Sequence, residues 1–235
     1  SDGKYRFNSD NTLTRQPWFG CACCPSNLCR FIPSLPGYIY AVKDNSLYVN
    51  LFAANTTKLK VGGKDVVVSQ TTDYPWNGDV KIKIEKNNDP DLALHIRIPG
   101  WTRGEVVPSD LYTFVGDTVD DSTRWTAATS NGKSLSHSTL DKGYLVVDKK
   151  TIGRKLKAGD EIIVHFDMTP QMVKANDRVS ADRGRVAFER GPLVYCAESA
   201  DNTGYDVLHT VVATAACPDK NSGDCQKASA TGHCS

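Results

Sequence analysis

The sequence predicts an all-β chain built around a β-sandwich. Three observations carry this expectation. Apolar and polar residues alternate over many short runs, as they do in strands with one face in a core. Clusters of Gly, Pro, Asn and Asp punctuate those runs at short intervals. Apolar spacing of helical period is confined to one stretch near the start.

That stretch comes first. Pro25 suits the first turn of a helix, where its missing N–H costs nothing. Leu28, Phe31, Ile32 and Leu35 then recur at i, i+3, i+4 and i+7, which is one helical face. Pro33 is expected to kink the helix or end it early, and Pro36-Gly37 to stop it. From Tyr38 the period switches to two. Residues 38–42 and 46–52 read as strands about the turn Lys43-Asp44-Asn45, and 57–61 and 66–68 as strands about Gly62-Gly63-Lys64-Asp65. In residues 79–85 the alternation is strict, so Val80, Ile82 and Ile84 share a face. Residues 92–98 alternate again after the turn Asn87-Asn88-Asp89-Pro90, and Pro99-Gly100 ends them. Residues 105–139 are rich in Ser, Thr and Asp and read as long loops with at most a short hairpin. Further strands are expected at 143–147, 161–166, 185–188 and 193–196. Residues 213–235 lack every large apolar side chain and read as an irregular tail.

Composition narrows the function. Among 235 residues, 28 Lys+Arg against 27 Asp+Glu leave a net charge of 28 − 27 = +1. Such a balance gives no global attraction to nucleic acid or to an anionic membrane. With 40% apolar and 23% charged residues, the chain has the make-up of an ordinary globular protein. No apolar run approaches the ~20 residues that span a bilayer, and the polar first residues do not resemble a signal peptide. The five histidines show no ligand spacing and read as structural or solvent-facing. Trp76 and Trp101, each beside a Pro or Gly turn, read as core aromatics first and sugar-stacking platforms second.

The cysteines carry the chemical signal. Cys21, Cys23, Cys24 and Cys29 fall within nine residues, Cys196 stands apart, and Cys217, Cys225 and Cys234 lie near the end. Two neighbouring thiolates can share one Zn2+, and a helix opening at Pro25 sets its positive end beside Cys23 and Cys24, which favours thiolate. Structural metal, reactive thiol and buried small hydrophobe all remain open on spacing alone. A complete zinc motif would need a second ligand pair, which the local sequence does not show.

These residues bring out a family likeness. The run Gly20-Cys21-Ala22-Cys23-Cys24-Pro25-Ser26-Asn27-Leu28-Cys29-Arg30 is followed by Gly37-Tyr38-Ile39-Tyr40 and Leu47-Tyr48-Val49-Asn50-Leu51. Thr72-Asp73-Tyr74-Pro75-Trp76, Arg97-Ile98-Pro99-Gly100-Trp101, residues 181–187 and Arg190-Gly191-Pro192-Leu193-Val194-Tyr195-Cys196 continue the pattern. Together they resemble glycoside hydrolase family 127, the β-L-arabinofuranosidases, over residues 1–212. The resemblance implies an (α/α) barrel followed by β-sandwich domains, and Zn2+ held by three cysteines and a glutamate. It implies that Cys23 is the catalytic nucleophile and also touches the metal, and that Cys24 is a metal ligand. It further implies a retaining mechanism through a glycosyl-thioether, with an L-arabinofuranoside-containing glycan as substrate.

In the family, the acid/base glutamate and the other zinc ligands precede the cysteine doublet, and only twenty-two residues precede Cys23 here. The resemblance therefore implies a C-terminal portion of the enzyme, inert by itself and weak or lacking in zinc binding. The expected organisation is 1–42, the end of the barrel with its Cys cluster; 43–170, a β-sandwich; 171–212, a partial second sandwich; and 213–235, the tail. The rival reading is a non-catalytic β-sandwich module that binds carbohydrate or supports a homodimer; a structural zinc site alone is a third. No nucleic-acid or membrane partner is expected, and no compartment is indicated.

Overall fold

The computed structural model describes residues 23–116, 124–136, 138–202, 204, 207 and 209–212. Cys21, His137 and the expected tail from residue 213 lie outside the described residues. Two compact units divide the chain, and every strand among the described residues belongs to Gly20–Cys196. Of the other unit, the described residues show turns, in which the Asp201 N–H donates to the Glu198 carbonyl at 3.1 Å and the Asn202 N–H to Ser199 at 3.3 Å.

Helix α1 spans Cys23–Phe31 and ends four residues short of the expected Leu35. A 3-10 turn at Ile32–Ser34 follows, because Pro33 has no N–H with which to continue the helical ladder. Pro36 does not stop the helical backbone as expected. It occupies the first position of a second short helix, α2 (Pro36–Ile39), where a missing N–H is harmless. Tyr38 and Ile39, expected in a strand, are therefore helical, and strand β1 begins at Tyr40 (Tyr40–Lys43).

Two sheets face each other across one hydrophobic core. The first joins β1 to β2 (Ser46–Val49), β6 (Ala93–Arg97) and β9 (Tyr144–Val147), in the order β1-β2-β6-β9. Asp44, at φ 53°, closes the tight β1–β2 turn that the sequence marks. The second sheet holds β3 (Asn55–Val61), β4 (Lys64–Thr72), β5 (Asp79–Asn87), β8 (Trp125–Thr129) and β10 (Glu161–Phe166), in the order β3-β4-β5-β10-β8. Gly62 and Gly63, at φ 54° and 75°, make the β3–β4 hairpin turn. All pairings in both sheets are antiparallel except β2 with β6. The parallel pair aligns Leu47 with Leu94 and Val49 with Ile96. Those side chains, fully buried, meet Val68, Val80, Ile82 and Phe166 of the facing sheet within one core. Each such burial is worth roughly 1.5–3 kcal/mol relative to exposure.

A third sheet, in the order β13-β12-β11-β7, uses β7 (Tyr112–Phe114), β11 (Gln171–Ala175), β12 (Val186–Arg190) and β13 (Leu193–Tyr195). Two strands therefore arise inside the stretch expected to be loop. β8 reads Trp-Thr-Ala-Ala-Thr, and its inward side chains differ too little in hydrophobicity from its outward ones to show a period. β7 has three residues, too few to show one. A short helix, α3 (Lys149–Ile152), also escaped the reading; the Asp148 carboxylate caps it by accepting from the Thr151 N–H at 2.8 Å.

Candidate functional site

Cys23 and Cys24 are the first two residues of α1, and their sulfurs stand 3.7 Å apart on its exposed first turn. Pro25 lies in the first turn of the helix, as the sequence suggests, but α1 begins two residues before it, at Cys23, and the Ser26 hydroxyl donates to the Cys23 carbonyl at 3.0 Å. Lower on the helix, Arg30 donates to Asn27 Oδ1 at 3.1 Å. No residue of α1 is buried, and Leu28, Phe31 and Ile32 are each more than half exposed. The reading of these cysteines as small core hydrophobes fails for Cys23, Cys24 and Cys29, all of which face solvent.

The pair can be tested against a zinc ion. Two sulfurs on a tetrahedral zinc, each at about 2.3 Å, are separated by about 3.8 Å. The observed 3.7 Å matches that edge. Cys23 and Cys24 thus fit two of four ligand positions. Among the described residues, no group of three or more His, Cys, Asp or Glu side chains gathers to complete such a site.

The remaining ionisable groups sort by burial. His95 lies in the first sheet, stacked on Tyr48 at 4.3 Å between ring centroids and edge-on to Tyr144 at 6.5 Å. It is 8% exposed, and its buried Nδ1 has no hydrogen-bond partner among the described residues. Burial holds this imidazole below its ordinary pKa, against the opposing pull of Asp141 and Asp148. Glu189 is also buried; desolvation raises its pKa while Arg124 pulls the other way. Asp160 is buried too, and burial alone would raise its pKa. The two hydrogen bonds from Arg154 (2.6 and 2.8 Å) and one from the Lys157 N–H (2.9 Å) outweigh that and hold it low. His165 is exposed as expected, with Nδ1 2.6 Å from Asp79 Oδ1.

The two tryptophans part company. Trp101 is buried beside Phe166, with centroids 5.9 Å apart. Trp76 is 71% exposed, against the expectation of core packing, and its carbonyl accepts from Arg190 Nη1 at 2.9 Å. The run Pro75-Trp76-Asn77-Gly78 carried the signal, since a bulky ring amid turn residues has no strand to direct it inward.

Comparison with known proteins agrees over most of the chain. Residues 46–168 match the β-L-arabinofuranosidase GH127 middle domain, and residues 170–229 match the glycoside hydrolase family 127 C-terminal domain. A non-reducing end β-L-arabinofuranosidase of Bifidobacterium longum subsp. longum is 39% identical over 199 residues, covering 81% of this chain and 25% of that protein. A solved GH127 β-arabinofuranosidase superposes with a TM-score of 0.70 at 51% identity, covering 80% of this chain and 28% of its own. A GH127 β-L-arabinofuranosidase from Geobacillus stearothermophilus T6 gives 0.63 at 33% identity, with coverages of 81% and 26%. The chain spans about a quarter of the length of these relatives. Residues 46–168 alone are more than half of the chain, and on that match it belongs to glycoside hydrolase family 127.

Proposed function

We propose that this chain supplies the nucleophile and the sandwich support of a retaining glycosidase acting on L-arabinofuranosides, with α1 and α2 as the closing turns of an (α/α) barrel. One observation supports the chemistry above all: two exposed sulfurs 3.7 Å apart on the first turn of a helix, in a family 127 chain. Cys23 and Cys24 would hold a zinc ion as two of its four ligands, and the bound metal would keep the sulfurs deprotonated.

In the reaction, the Cys23 sulfur attacks the anomeric carbon. A C–S bond forms as the glycosidic C–O bond breaks, and the departing oxygen takes a proton from an acid. Water then attacks the same carbon and gives a proton back to the conjugate base of that acid, releasing the sugar and returning the electron pair to sulfur, so two inversions give retention. The described residues bring no cluster of acidic side chains to the thiol pair. On this reading the chain alone does not turn over substrate and binds zinc weakly, and the acid and remaining ligands come from the rest of the enzyme.

The test pairs reactivity with turnover. Iodoacetamide at neutral pH should label Cys23 faster than Cys29 or Cys196, because its helix-mouth position favours thiolate. Equal labelling of the three would sink the nucleophile assignment. An aryl β-L-arabinofuranoside should remain intact with this chain; hydrolysis that survives Cys23→Ala would also sink it.

A further inference from the structure

The loop between β4 and β5 is built to hold an indole in water. Tyr74 anchors it inward, edge-on to Phe52 at 5.3 Å and to Phe166 at 6.0 Å. The Tyr74 N–H donates to Thr72 Oγ1 at 3.0 Å, and that hydroxyl donates to the Asp79 carbonyl at 2.6 Å. The Trp76 N–H donates to the Asp73 carbonyl at 2.8 Å, and the Asp79 N–H to Asn77 Oδ1 at 3.0 Å. Gly78 lies so close to β10 that a Cβ there would fall 1.9 Å from the Phe166 carbonyl oxygen. From the third sheet, Arg190 holds the Trp76 carbonyl. The backbone on both sides of Trp76 is thus fixed, yet the ring is 71% exposed.

Polar groups flank the loop. Asp79, three residues on, pairs with His165, and both side chains are more than half exposed. Arg190 adds a guanidinium beside the loop. A sugar presents an apolar C–H face and a rim of hydroxyls, which calls for one aromatic surface and a few hydrogen-bonding groups. A loop backbone already fixed loses little freedom when a ligand stacks on the side chain it carries.

We propose that Trp76, with the Asp79–His165 pair and Arg190, forms a carbohydrate subsite that takes one sugar residue of a glycan. The Trp76 face stacks on the sugar, and Asp79, His165 and Arg190 bond its hydroxyls. This rests on the reading that glycans are the substrate class, but it does not involve Cys23.

The test is a titration of the isotope-labelled chain with an arabinofuranose oligosaccharide, following indole N–H signals by NMR. The Trp76 signal, assigned by its loss in Trp76→Ala, should shift saturably together with the backbone signals of Asp79 and His165. Affinity should fall at least tenfold in Trp76→Ala and fall less in Trp76→Phe. The melting temperature of Trp76→Ala should match the parent, since the ring packs on little. Absence of a saturable shift, as expected if another protein surface covers this ring, overturns the proposal. So does binding by Trp76→Ala within twofold of the parent. Failure of the Cys23 labelling test with sugar binding intact removes the nucleophile assignment alone; labelling intact without binding removes this subsite alone.

Discussion

The sandwich and the helical lead-in obey opposite rules. Between β2 and β10, side chains such as Ile82, Leu94 and Phe166 are completely enclosed, and strand pairing runs through both sheets. Between Cys23 and Ile39 no residue is buried, and the apolar side of α1 faces outward. The two thiols stand on the second kind of structure. The contrast shows that this chain makes its scaffold from its own residues, whereas the proposed nucleophile stands on a segment whose apolar face its own sandwich does not cover.

Substitutions can break or sharpen this contrast. The largest loss should follow Phe166→Ala, which empties the point where Phe52, Tyr74 and Trp101 converge. Denaturant unfolding should show a cost of about 3–5 kcal/mol; a cost below ~1 kcal/mol would mean the core is not the support described. Next, Asp160→Ala removes the acceptor for both Arg154 nitrogens and for the Lys157 N–H. The expected loss is about 2 kcal/mol at neutral pH. Because the Asp160 pKa is depressed in the folded chain, its contribution is present above the ordinary carboxylate range and is lost as pH falls through the depressed value.

A smaller effect is expected from His95. Its folded pKa lies below the unfolded one of about 6.5, so the unfolded chain binds more protons in that window. Stability should therefore be full above pH ~6.5 and decline as pH falls toward the depressed value. In His95→Phe that part of the decline should vanish, with a gain of about 1 kcal/mol at neutral pH from removing the unpartnered Nδ1. Thermal melts across pH 5–8 would check both. The smallest effect belongs to α1: Phe31→Ser should change sandwich stability by less than about 0.5 kcal/mol, since that ring is mostly exposed. A loss of several kcal/mol would erase the distinction between the two regions.

Much of this was readable from the residues, in proportion to how strongly each segment alternates. The strict pattern of 79–85 and the run 161–166 place β5 and β10 almost to the residue, because every second side chain enters the core. Trp125–Thr129 also alternates in burial, but alanines and threonines write that alternation too faintly to read. The proline at 36 misled because its effect depends on whether it begins or interrupts a turn, which neighbours decide. The helix mouth at Cys23-Cys24-Pro25 was legible because proline marks a first turn locally. The burial of Glu189 was not, since it depends on a strand that pairs with it from elsewhere in the chain, β11.

The parallel seam between β2 and β6 has a consequence for synthesis. After Val49 the chain departs to lay down three strands of the opposite sheet before Ala93 returns to lie beside Ser46. As the protein leaves the ribosome, the first hairpin must wait more than forty residues for its neighbour, and longer still for Tyr144–Val147. Such distant closures are slow to form. The meander β3–β4–β5, whose strands pair with their immediate successors, is placed to assemble first and to serve as the template on which the rest condenses.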